Sequence, residues 1–136
     1  MNPSVAYENG RLIVSVFTAG GAFPIAGATV IIAGNDPENQ EVREVRISDI
    51  SGRTEAVALP APAATLSQIP GSERPYATYN VEVTKDGYFR HLALNIPVFS
   101  GITSVQPAAM IPLPSYDAQN AYPRNTNTLT EAEPNL

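Results

Sequence analysis

The chain contains no cysteine and no tryptophan, and it has a single histidine, His91. The missing cysteine excludes disulfides, thiol catalysis and thiolate metal sites. With one histidine and no thiolate, a zinc site has too few ligands. No basic run occurs, and 13 acidic residues outweigh 8 basic ones to give a formal net charge of −5. The electrostatic footprint of a nucleic-acid or anionic-lipid binder is therefore missing. No window approaches the ~20 apolar residues of a membrane helix. The start, Met1 to Glu8, lacks the basic and apolar segments of a Sec-type signal. These absences lead us to expect a soluble protein, either cytoplasmic or brought to a spore or cell envelope by another route. No run of 11 or more residues has helical periodicity, and no internal repeat is visible.

What the chain does have is a succession of short apolar runs, each ending at Gly, Pro, Asn or Asp. Its 136 residues, 43% hydrophobic, suit one domain with a real core. Strands are expected over Leu12 to Phe17, Ala28 to Ala33, Glu41 to Ser48 and Glu55 to Leu59. Three more follow, at Tyr79 to Val83, Tyr88 to Ile96 and Ile102 to Leu113. Val42 is out of phase with Val45 and Ile47, which predicts a bulge or a late strand start. Asp86-Gly87 reads as a tight hairpin. Pro107 places the last strand at an edge or a bulge. The proline-rich segment from Pro60 to Pro75 reads as a long irregular loop. The expected core is Leu12, Val14, Val16, Val30, Ile32, Val45, Ile47, Val81, Val83, Leu92, Leu94 and Ile96. The expected fold is all-β, a seven-stranded antiparallel Greek-key sandwich over residues 10–114. A flexible lead (1–9) and a flexible tail (115–136) flank it, the tail having Tyr116 and Tyr122 as anchors should it pack.

Reactive constellations are sparse. Ser48 or Ser51, His91 and Asp49 contain the residue types of a hydrolase triad, yet no Gly-x-Ser-x-Gly elbow accompanies them. Asn35, Asp36, Glu38 and Asn39 gather oxygen ligands in one turn, but their spacing is not that of an EF-hand loop. No cofactor or metal is therefore expected. Aromatic side chains beside prolines in loops are better surface candidates than those alternating within strands. Tyr76 and Phe99, with Leu66 and Ile69 of the proline-bounded loop, are the expected contact residues. A strand edge is a further possible recruiting element.

Several segments together carry a resemblance. Gly10 to Val16, Pro24-Ile25-Ala26-Gly27-Ala28-Thr29-Val30, Asp49-Ile50-Ser51-Gly52 and Tyr79 through Asp86-Gly87-Tyr88 resemble the carboxypeptidase regulatory-like domain. The resemblance implies a transthyretin-like (prealbumin-like) sandwich and is not specific for an activity. Leu59-Pro60-Ala61-Pro62, Leu66-Ser67-Gln68, Pro75 to Tyr79 and Pro97 to Gln106 are similar to a β-domain of spore-forming bacteria. That domain is often labelled spore cortex-lytic or peptidoglycan-binding, and it usually precedes a separate wall-binding or lytic module. No such module is expected here, so a lytic activity is not carried over, and the likeness implies a spore or envelope context and an accessory role. The hydroxyisourate hydrolases of the same fold use several histidines and a C-terminal Tyr-Arg-Gly-Ser. This chain has only His91 and ends Pro134-Asn135-Leu136. The expectation is a non-enzymatic interaction module whose partner is a protein or, alternatively, a cell-wall glycan.

Overall fold

The structure is a computed structural model that describes residues 7–63 and 76–114. Among these residues the chain forms eight strands: β1 (Tyr7–Thr18), β2 (Phe23–Pro24), β3 (Thr29–Gly34), β4 (Arg43–Ile47), β5 (Val57–Pro62), β6 (Ala77–Thr84), β7 (His91–Val98) and β8 (Thr103–Ala109). The helical content among them is one 3₁₀ turn, Ala19–Gly21. The strands make two sheets. One is antiparallel, in the order β4-β3-β6-β7; in the other, β1 pairs with β2, β5 and β8. An all-β architecture with two sheets is thus present, and each expected strand has a counterpart. The expectation of an entirely antiparallel molecule is corrected at one place, because β8 runs parallel to β1 from Arg11↔Thr103 to Phe17↔Ala109.

Period-2 alternation explains how the layers close. Leu12, Val14 and Val16 of β1 face Val30 and Ile32 of β3 and Tyr79, Val81 and Val83 of β6, all essentially without solvent contact. Val57 and Leu59 of β5 and Ile96 and Val98 of β7 complete the same cluster. Burial of these side chains is the main stabilising term in a domain that has no covalent cross-links. The Tyr79 hydroxyl donates to the Pro60 carbonyl at 2.6 Å, tying the antiparallel sheet to the edge strand of the other.

Four expected core residues point outward instead. Val45 (50%) and Ile47 (57%) on β4, and Leu92 (49%) and Leu94 (57%) on β7, are all exposed. On β4 it is Glu44 and Arg46 that lie beside the inward Ile32 and Val30. At the edge of a sandwich a long side chain runs its stem along the core rim and keeps its charge in water. Arg46 does so, donating to Glu55 at 2.8 Å and to Glu44 at 2.9 Å. On β7 the cause is a one-residue bulge. Val81 pairs with Ala93 but Tyr79 pairs with Ile96, so the alternation changes phase between them. Asn95 occupies the bulge at φ 60°, a conformation asparagine tolerates better than most residues, and its N–H donates to Asn80 Oδ1 at 3.0 Å.

Smaller corrections concern boundaries. β1 begins at Tyr7, so residues 7–9 of the expected lead are strand, paired with Pro62, Ala61 and Pro60. Pro60 and Pro62 accordingly lie within β5, an edge position where a missing amide donor is tolerated. β4 starts at Arg43, the late start that the phase of Val42 predicted, and Val42 packs on the core from outside the strand. Six residues, 85–90, join β6 to β7, so Asp86-Gly87 turns the chain without forming a tight two-residue hairpin. His91 opens β7 and does not sit mid-strand. Residues 1–6, 64–75 and 115–136, including Leu66, Ile69, Tyr116 and Tyr122, lie outside the described residues.

Candidate functional site

One end of the sandwich gathers the start of β1, the β3–β4 loop, the end of β5, the start of β6 and the β7–β8 turn. Here the two expected aromatics meet: the Tyr76 and Phe99 rings are 5.3 Å apart, centroid to centroid, tilted by 55°. That separation falls in the range of favourable edge-on aromatic pairs. Tyr76 is 47% exposed and Phe99 half-buried, so the pair presents ring surface to solvent while supporting itself.

Backbone constraints fix both residues. The Asp36 carboxylate accepts from the Thr78 amide at 2.9 Å and from its hydroxyl at 2.7 Å, two residues downstream of Tyr76. Asn39, itself buried, donates to the Thr78 carbonyl at 3.2 Å and accepts from the Asp36 amide at 2.7 Å. Phe99 sits where the chain crosses β1. The Gly101 amide donates to Asn9 O at 2.9 Å, and the Ser100 hydroxyl donates to the Glu8 carboxylate. Gly10 is required at that crossing, since a Cβ there would lie 2.3 Å from the Phe99 carbonyl oxygen. The rim is acidic. Burial and the nearby Glu38 and Asp36 carboxylates push the Tyr7 phenol above its ordinary pKa, and burial likewise raises that of Tyr79.

The other expected constellations do not assemble. Ser48 is buried, its hydroxyl donating to Ile25 O at 2.7 Å and accepting from the Ala28 amide at 2.9 Å. Asp49 is held below the usual carboxylate range by the Arg53 amide and by the Ser51 hydroxyl and amide in a tight turn. His91 opens the opposite edge strand, three strand spacings or about 14 Å across the sheet from the end of β4. The Asp36 carboxylate oxygens and the Asn39 amide nitrogen hold the β3–β4 loop to Thr78 of β6. Among the described residues no group of three His, Asp or Glu side chains could hold a metal.

The strand edges are blunted. Arg46 donates to the Val45 carbonyl at 3.0 Å on the β4 edge, Pro60 and Pro62 interrupt β5, the Asn95 bulge and Pro97 interrupt β7, and Pro107 interrupts β8. Inward-pointing charges, prolines and bulges all oppose addition of a further strand. What the sequence reading missed lies at the far end of the sandwich. A polar depression there is lined by Gly27, Thr29, Thr84, Lys85, Asp86, Tyr88 and Arg90. Its one sequence signal was available: Lys85 is the sole lysine of an acidic chain.

Neither a protein-family model nor a curated protein matches the chain. Solved structures do. The Bacillus anthracis TIE protein aligns at 16% identity and a TM-score of 0.54, over 78% of this chain and 17% of that one. The 3-chlorocatechol 1,2-dioxygenase of Rhodococcus opacus 1CP aligns at 11% identity and a TM-score of 0.51, over 82% of this chain and 62% of that one. The chain thus spans less than two thirds of either protein. At these identities the likeness shows a shared β-rich fold alone. No helix among the described residues is long and apolar enough to cross a membrane.

Proposed function

We propose that this chain is a non-enzymatic binding module, a transthyretin-like sandwich of the carboxypeptidase regulatory-like kind, acting in a spore or cell-envelope setting. The observation that carries the reading is the Tyr76–Phe99 pair, half-exposed and fixed by hydrogen bonds on both sides. A rigid aromatic surface binds at low entropic cost, since its rotamers are already restricted before the partner arrives. A protein partner is the first reading, because an apolar pair inside an acidic rim suits an apolar anchor flanked by cationic groups. The non-enzymatic part rests on the fate of the reactive groups: Ser48 and Asp49 are engaged in turns, and His91 lies on another strand.

A glycan partner is the second reading, favoured by the exposure of the Tyr76 ring, which could stack on a sugar face. The test compares retention on an immobilised envelope-protein fraction and on purified peptidoglycan. Tyr76→Ser with Phe99→Ser should abolish retention on whichever material holds the parent, with the melting curve still cooperative. Equal retention of the parent and a folded double variant on both materials would refute the aromatic surface.

A further inference from the structure

We propose that the depression at the opposite end of the sandwich is a binding site for an oxyanion, a carboxylate or phosphate group carried by a larger ligand. The inference goes beyond the aromatic surface and does not depend on it. The depression lies where β3 begins and β6 ends, and it encloses about 290 Å³ open to solvent, room for one such group and its first linking atoms. Thr29 and Thr84 are direct cross-strand partners there, so two hydroxyls stand side by side on the outer sheet face.

Arg90 apart, the side-chain donors of Lys85, Thr29 and Thr84 that line the depression are unengaged among the described residues. The ion pairs among the described residues are Arg46 with Glu44 and Glu55, and Arg90 with Glu82, so Lys85 is neutralised by none. The Thr29 and Thr84 hydroxyls likewise have no partner among the described residues. Arg90 meets Glu82 through one nitrogen at 3.1 Å and, with five N–H donors, keeps others available. Among the lining residues the one carboxylate is Asp86 at the turn tip, against the two cations Lys85 and Arg90, with Glu82 outside the lining partly balancing Arg90.

Gly27 shapes the site. Its φ is +78°, and a Cβ there would lie 3.1 Å from the Lys85 ammonium nitrogen. A side chain at 27 would displace the ammonium, so glycine both makes the turn and leaves the cation its room. An oxyanion between an ammonium and hydroxyl donors gains charge-assisted hydrogen bonds, the stronger kind. A fully ionic surface patch would lack the hydroxyl pair, and a sugar without an acidic group would leave Lys85 without its counter-charge.

The experiment is an amide NMR titration of the full chain, first with sodium acetate and with inorganic phosphate at fixed ionic strength. A short poly(glycerol phosphate) and a peptide ending in D-Ala-D-Ala then distinguish the two sources of the group. The expected result is a saturable shift confined to residues 27–29 and 84–90, with one polymer binding at least about tenfold more tightly than the free ion. Lys85→Gln should weaken binding by about tenfold or more, the loss of one charge-assisted bond. Arg43→Gln, which removes an exposed cation elsewhere on the sheet, should leave it unchanged. The proposal is overturned by shifts spread over the whole surface, by no saturation with any of the four probes, or by equal binding in Lys85→Gln.

Discussion

Truncating Ile32 and Ile47 to alanine tests the facing of the antiparallel sheet, because the two residues sit one strand apart on opposite faces. Ile32 is fully buried between its neighbours Val81 and Glu44 in the ladder. Ile32→Ala removes about three buried carbons, worth ~2.4 kcal/mol by transfer, and the cavity left behind raises the cost to about 3–4 kcal/mol. Ile47 is 57% exposed, so the same truncation costs under ~1 kcal/mol. Urea unfolding followed by far-UV circular dichroism reads both. With a slope near ~1.5 kcal/mol/M, the midpoint should fall by roughly 2 M for Ile32→Ala and by about half a molar or less for Ile47→Ala. Ile32→Val, costing about 0.5–1.5 kcal/mol, supplies a milder form should the alanine variant express poorly. An Ile47→Ala loss as large as that of Ile32→Ala would place Val45 and Ile47 in the core and refute the outward assignment of β4.

A double-mutant cycle of Tyr76→Ala and Phe99→Ala should return a coupling energy of about 0.5–1.5 kcal/mol in urea unfolding, and strict additivity would mean that the rings do not touch. Burial raises the Tyr79 pKa above its ordinary value of 10.0, so its contribution is complete below pH 10 and is lost as the pH rises through the higher folded value. Stability should therefore decline above pH 10, and Tyr79→Phe should flatten that decline; an unchanged slope would contradict the assignment. Asp49 works in the opposite sense. Its lowered pKa gives stability above the usual carboxylate range that is lost in acid, and Asp49→Asn should flatten the acid limb of the same curve.

The succession of strands along the chain was legible because Gly, Pro and Asx punctuation separates apolar runs; β1 and β3 read as near-continuous apolar runs, and β6 alternates cleanly. Tyr79 and Val81 could be placed in the core from β6 alone. The edge strands were harder to read. In Arg43-Glu44-Val45-Arg46-Ile47 the alternation is visible but its direction is not. Apolar residues go inward only where the partner layer is wide enough to cover them, and at an edge the long stems of Glu44 and Arg46 fill the rim. On β7 the run Leu92, Leu94, Ile96 looks like one face, yet the bulge at Asn95 turns Ile96 inward while Leu92 and Leu94 stay out. A positive φ at a single asparagine leaves no mark on hydrophobic periodicity. The parallel placement of β8 is a long-range choice that local pattern does not encode. Of the expected contact residues, Tyr76 and Phe99 proved to be neighbours although 23 positions separate them in the sequence. Proline neighbours were the clue that both were loop aromatics, and their mutual contact had no signal in the sequence.

Hydrogen–deuterium exchange of the intact chain, free and in the presence of the envelope-protein fraction or of peptidoglycan, tests most directly whether this sandwich recognises a partner through its aromatic end. Added protection should concentrate on the segment from Tyr76 to Thr78 and on the turn from Phe99 to Ile102, with the edge strands β4 and β7 exchanging as before. Protection of residues 43–47 or 91–98, with none around Tyr76 and Phe99, would show a partner added along a strand edge and contradict the account.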